Sequence, residues 1–142
     1  SFLRLFGRRA RWTHVHETLE QVDALDLANR PFGELSEGQK QRVLIARLLV
    51  GHPHVAVLDE PTASMDRVAE EETLDLVGRL CAQHHMAVLI VSHHLQGVTG
   101  MANQVVFIDR ASQTVIQGPP AEVLDQQRFQ VHYGAIDTRS PG

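Results

Sequence analysis

With 142 residues, 43% hydrophobic and 21% charged, the chain has the length and composition of one ordinary globular domain. A formal net charge of −4 gives no global electrostatic reason to expect nucleic acid, and the longest apolar run, 86–91, is far too short to cross a bilayer. A single cysteine, Cys81, excludes an intramolecular disulfide and fits a reducing compartment. The chain opens on Ser1 without an apolar signal-peptide core, so its start is expected to lie inside a longer protein.

Residues 2–12 mix Phe2, Leu3, Leu5, Phe6 and Trp12 with four arginines, Arg4, Arg8, Arg9 and Arg11. The stretch could touch a membrane surface or a membrane-embedded partner. Its shortness favours the start of a helical subdomain with a solvated basic face. Over 14–27, Val15, Leu19, Val22 and Leu25 recur at three- and four-residue spacing, which predicts a helix broken by Asn29, Arg30 and Pro31. Ser36 is expected to cap a second helix whose buried face lies in 43–50 and which Gly51, His52 and Pro53 end.

The continuous apolar run 55–58 predicts a strand covered on both faces within a parallel sheet. A helical pattern over 68–82 follows, through Leu74, Val77 and Leu80. A second buried strand is expected at 86–91 and a short helix at 95–102. Residues 105–108 and 114–116 flank a polar turn and predict an antiparallel hairpin, with one more helix at 120–124. The tail 126–142 is expected to be loose. Strand alternating with helix makes the fold class α/β with a parallel sheet.

Three short runs carry chemistry. Asp59 and Glu60 follow the run 55–58, at the strand end where open α/β sheets bind ligands. An aspartate there suits Mg²⁺, a hard ion that prefers oxygen, and a glutamate beside it can orient or deprotonate a water attacking a phosphoryl group. A solvated acidic turn is the plainer alternative. Ser36, Gly38 and Gln39 open a helix whose free N–H groups and positive dipole end favour phosphate oxygens, with Gly38 allowing close approach. A plain N-cap would look the same. His93, just past the second strand, could donate to a γ-phosphate oxygen, or could be an ordinary hydrogen-bonded turn histidine.

In order and spacing, LSEGQKQRVLIAR, VAVLDEPTASMD and IVSHH closely resemble the signature, Walker B, D-loop and switch-histidine sequence of ATP-binding-cassette (ABC) ATPases. The resemblance extends over about 19–124. It implies a partial P-loop NTPase domain with parallel core strands, part of the helical subdomain and a C-terminal β-hairpin. The helical and signature part falls at about 1–50, and the Walker B, D-loop and switch part at about 51–125. By the same resemblance Asp59 assists Mg²⁺, Glu60 polarises the attacking water, and His93 contacts the γ-phosphate. Ser64, Met65 and Asp66 form the D-loop that communicates between paired sites. Ser36, Gly38 and Gln39 cap the ATP held by an opposing subunit. The implied cofactors are ATP and Mg²⁺. The implied partners are a second ABC ATPase subunit in a head-to-tail dimer and transmembrane permease subunits, with no nucleic acid and a cytoplasmic position on the inner face of the membrane.

Three departures stand out. Glu37 replaces the usual signature glycine, which should be mildly unfavourable near a γ-phosphate unless the carboxylate points away. His94 stands where the family often has aspartate. More consequentially, the one lysine, Lys40, lies inside the signature region, so these 142 residues hold no Walker A loop. The Q-loop and the aromatic that stacks on adenine are not identifiable either. The strand leading into Walker A normally packs beside those ending at Leu58 and Val91, so a hydrophobic sheet edge or face should be left uncovered. The chain alone is expected to bind ATP weakly and to hydrolyse none measurably.

The leading function is therefore the motor of a transporter. RPFGELSEGQKQRVLIARLL and IQGPPAEVL look most like bacterial zinc and manganese importer subunits. A non-transport cassette acting on DNA or ribosomes, and a non-enzymatic interaction fragment, are the alternatives. The nine histidines are scattered, and the adjacent pairs His84-His85 and His93-His94 would need unusual geometry to share an ion.

Overall fold

The computed structural model describes residues 2–93 and 95–125, with side chains from residue 12 onward apart from 95 and 96. His94 and the tail 126–142 lie outside the described residues, and the basic face expected over 2–11 lies outside the described side chains. The chain divides into two compact units, Ser1–Val91 and Ser92–Gly142.

In the first unit, helix α1 (Phe2–Gln21) begins well before the periodic stretch and ends six residues earlier than the spacing suggests. Its end is a left-handed turn: Asp23 has φ 52°, the Ala24 N–H donates to the Leu19 carbonyl (2.8 Å) and the Asp23 N–H to that of Glu20 (3.0 Å). An aspartate can occupy this conformation at a helix end. The turn lets Val22 and Ala24, both 0% exposed, and Leu27 pack inward through a short 3₁₀ turn, Leu25–Leu27. A continued helix would have carried them around its axis instead.

Helix α2 (Glu37–Leu49) is capped by Ser36, as expected, and buries Ile45, Ala46 and Leu49. It ends at Val50, before His52, whose φ is 46°. Strand β1 (Val55–Asp59), helix α3 (Arg67–His84) and strand β2 (Ala87–Val91) form one β-α-β unit. The strands pair in parallel from Val55↔Ala87 to Asp59↔Val91. Ala56, Leu58 and Val88 meet Ile45, Leu48, Val77, Leu80 and Met86, so α2 and α3 cover one face of the pair.

The other face is bare. Val55, Val57, Leu89 and Val91 are 65%, 60%, 53% and 49% exposed. The expectation of cover on both faces is thus corrected: the described residues supply helices on one side only. The uncovered face anticipated from the missing Walker A strand is present. Each such side chain forgoes much of the roughly 1.5–3 kcal/mol that full burial would supply.

In the second unit, helix α4 (Leu95–Met101) precedes an antiparallel hairpin of β3 (Val105–Asp109) and β4 (Thr114–Gly118), paired from Val105↔Gly118 to Asp109↔Thr114. Asp109 shapes the turn by accepting from the N–H groups of Ala111 (2.9 Å) and Ser112 (3.3 Å). Helix α5 (Pro120–Leu124) sets Val123 and Leu124 against Phe107, with Val105 and Ile116 partly buried beside them. Val106, Ile108 and Val115, on the opposite face, are exposed.

Candidate functional site

Asp59 closes β1 and Glu60 follows it, at the C-terminal edge of the parallel pair. Glu60 is held there by its N–H, which donates to the Val91 carbonyl at 2.8 Å, one step past the strand ladder. Its φ is 47°, in the left-handed region, and Pro61 follows. A residue before proline favours extended backbone, so this conformation costs on the order of 1–3 kcal/mol. The loop beyond compensates with local bonds. Ala63 N–H donates to Glu60 O (3.1 Å), Met65 N–H to Thr62 O (3.2 Å), and the Thr62 hydroxyl to Glu70 Oε1 (3.4 Å). Thr62 is itself buried.

Asp66 ends that loop by capping α3: its Oδ1 accepts from the Ala69 N–H at 2.9 Å. The carboxylate that the resemblance assigns to nucleotide communication is, in this structure, a helix cap. Ser64, in the same loop, also has positive φ, 67°.

At the start of α2 the sequence produces a complete capping box. Ser36 Oγ accepts from the Gln39 N–H (3.3 Å), and Gln39 Oε1 accepts from the Ser36 N–H (3.0 Å). Helical geometry leaves the N–H groups of Glu37 and Gly38 without intrahelical acceptors, aimed out of the helix start where a phosphate oxygen would be favoured. A Cβ added at Gly38 would meet nothing within 4 Å, so no packing inside the chain requires glycine there. Glu37, the departure from the family pattern, pairs with Lys40 at 2.7 Å. That contact draws the carboxylate back along the helix and commits the one lysine.

The structure thus brings Ser36 and Gln39 together, and sets Asp59 and Glu60 side by side at one strand end. The signature and the acidic pair stand on different elements. His93 belongs to the second unit, two residues past β2, and is exposed.

Several features escape sequence inspection. Arg42 on α2 reaches Val22 O, Asp23 and Glu72, and nothing local marks it because those partners lie 20, 19 and 30 residues away. An open apolar cavity of about 370 Å³ is lined by Val15, Leu19, Leu27, Phe32, Leu35 and Val50, among others. Two of the scattered histidines are stacked: His14 on α1 and His52 after α2 have ring centroids 4.5 Å apart. Cys81, partly buried on α3, has its thiol pushed up by burial, away from reactive thiolate. Among the described residues, no three His, Cys, Asp or Glu side chains form a metal-binding group.

Asp59, an exposed carboxylate, fits as one oxygen partner of Mg²⁺, and Glu60 fits as a water-orienting base. With Lys40 paired to Glu37, the described residues do not make a cradle for the phosphates of the same site.

A family model described as ABC transporter matches residues 4–63, which include the capping box and the acidic pair. The chain belongs to the ABC ATPase family. A putative ABC transporter ATP-binding protein of Streptomyces coelicolor is 43% identical over 110 residues, covering 78% of this chain and 20% of that protein. The zinc import ATP-binding protein ZnuC of Halorhodospira halophila is 32% identical over 136 residues, covering 94% of this chain and 51% of its own length. A solved structure titled as an inward-facing conformation of a putative metal-chelate type ABC transporter superposes with TM-score 0.78 at 27% identity, covering 84% of this chain and 47% of that one. The chain therefore spans about half, or less, of these relatives, and its architecture is part of an ABC ATPase domain. No helix among the described residues is long and apolar enough to cross a membrane.

Proposed function

We propose that this chain supplies the hydrolytic carboxylates and the signature loop of a transporter's ATP-hydrolysing motor, acting with Mg²⁺ and ATP in a head-to-tail dimer. The observation that carries the reading is Glu60, held in a costly left-handed conformation beside Asp59 at the C-terminal end of a parallel strand. Mg²⁺, when bound, would neutralise charge developing on the phosphate oxygens. Asp59 would hold it through water. Glu60 would orient the attacking water and accept its proton, and His93 would contact the γ-phosphate. The α2 start, with Ser36, Gly38 and Gln39, would cap the nucleotide of the opposing subunit, and Asp66 would lie in the loop that links the two sites. The phosphate cradle must come from residues other than these 142, so the chain alone is expected to be inactive.

Transmembrane permease subunits are the proposed second class of partner, which would place the motor on the cytoplasmic face of the membrane. The apolar cavity beside α1 and α2 supports this by offering a seat for an apolar side chain. Import of a transition metal is the proposed cargo class, supported by the likeness to a zinc import protein over 94% of this chain.

The test is Glu60→Gln in a complete domain, with a phosphate-binding half present. Hydrolysis should fall about a hundredfold or more, the scale for removing a general base, while ATP binding survives. A stable ATP-bound dimer should then accumulate by light scattering. Near-normal hydrolysis would defeat the assignment.

A further inference from the structure

We propose that Arg42 is a positioning residue that locks the signature helix to the helix capped by Asp66, so that the signature and the D-loop approach an opposing subunit's nucleotide as one rigid surface. The proposal deepens the ATPase reading above and rests on it.

The guanidinium sits where three helices meet. Its Nη1 donates to the Val22 carbonyl at 3.1 Å and reaches Asp23 Oδ2 at 3.4 Å, while Nη2 donates to Glu72 Oε2 at 3.2 Å. Val22 is fully buried and lies just past the end of α1. Carbonyls at a helix end lack intrahelical donors, and the negative end of the dipole favours a cation, so Arg42 satisfies two demands of α1 at once. The side chain is itself only 22% exposed, whereas Asp23 and Glu72 are 70% and 60% exposed. An isolated surface ion pair contributes about 0–1 kcal/mol. A planar fork that bridges a backbone carbonyl on one side and a carboxylate on a different helix on the other constrains geometry more than a single pair can.

The position of Glu72 gives the contact its consequence. Asp66 caps α3, and the first two turns of α3 hold the preceding loop through three contacts. These are Asp66 with Ala69 N–H, Glu70 with the Thr62 hydroxyl, and the Thr73 hydroxyl with Met65 sulfur at 3.5 Å. Arg42 therefore grips the same stretch of α3 that fixes the 60–66 loop, and it projects from α2 six residues after Ser36. Releasing it frees α2 to shift against α3, and with them the signature against the D-loop. Arg79 reaches Asp23 only at 3.9 Å and cannot replace the bridge to Glu72.

The experiment compares wild type, Arg42→Ala, Arg42→Lys, Glu72→Gln and the Arg42→Ala/Glu72→Gln double variant in a complete domain. It measures kcat, KM, nucleotide affinity and ATP-dependent dimer mass. Arg42→Ala should lower kcat about tenfold and weaken the dimer, with nucleotide affinity unchanged within about twofold. Arg42→Lys should recover only part of the loss, because an ammonium lacks the fork. Glu72→Gln should show part of the same defect, and the double variant should be no worse than Arg42→Ala alone. A kcat for Arg42→Ala within about twofold of wild type, or fully additive losses in the double variant, would overturn the proposal. Should Arg42→Ala fail to fold, Glu72→Gln decides, since it alters an exposed side chain: a kcat lowered about threefold supports the lock, and an unchanged kcat overturns it. A wild-type domain with no turnover would overturn the ATPase reading, and this proposal with it.

Discussion

Gly38→Ala separates what the fold needs from what a nucleotide would need. Gly38 is the second residue of α2, and a Cβ there meets nothing within 4 Å. Its φ lies outside the positive range that disfavours side chains. Alanine should therefore enter without strain and remove the backbone entropy cost of glycine, worth about 0.5–1 kcal/mol in a helix interior and less near its start. A gain of about 0.5 kcal/mol raises the melting temperature of a unit of this size by about 2–4 °C. The same methyl would stand over the N–H groups of Glu37 and Gly38, in the path of a phosphate oxygen. Thermal melting by circular dichroism should thus show a small stabilisation, while the complete domain loses ATP-dependent dimer and most of its turnover. A destabilised variant would mean that the helix start is strained in a way the geometry does not show. A stabilised variant with full turnover would mean that no phosphate approaches Gly38, and the signature assignment would fall.

Asp66→Ala should cost about 1 kcal/mol by removing the cap bonded to the Ala69 N–H, read as a lower melting temperature; an unchanged melt would show that the loop is held by its other contacts alone. Val57→Thr with Leu89→Thr should reduce self-association of this chain without lowering its stability, because both side chains are more than half exposed on the bare sheet face. In a complete domain the same pair should destabilise instead, by up to about 1.5–3 kcal/mol for each residue buried there. Sedimentation and melting of both forms check this, and unchanged self-association of the chain would refute it.

The features that could be read from the sequence are those that local chemistry decides. Ser36 and Gln39 lie three apart and close a capping box within one turn, so the start of α2 needed no tertiary information. The runs 55–58 and 86–91 identify two strands because continuous apolar residues bounded by polar turns suit few other structures. The left-handed turn at Asp23 was hidden, because Leu25 and Leu27 continue a rough helical spacing while the chain folds them inward through a 3₁₀ turn. The bare face of the sheet was hidden in the strands themselves and visible only through an absent neighbour. Val55 and Val57 look the same whether a helix covers them or nothing does. Arg42 was hidden for a similar reason: its partners are set by the packing of three helices.

The placement of charge explains why the chain's motifs divide between two nucleotides in the proposed dimer. Its one lysine holds Glu37, and Arg42 holds α1 and α3, so the two cations that follow the signature on α2 are committed to the protein. What remains at the start of α2 is a pair of backbone N–H groups, which bind a phosphate oxygen only weakly by themselves and need another surface to present it. At the end of β1 the balance is reversed, with two adjacent carboxylates that repel a phosphate unless a cation intervenes. In the proposed dimer neither set of groups grips the phosphates by itself. A helix start that must be presented with a phosphate and an acidic pair that must be screened from one are complementary demands, and a nucleotide bound by other residues between two subunits meets both.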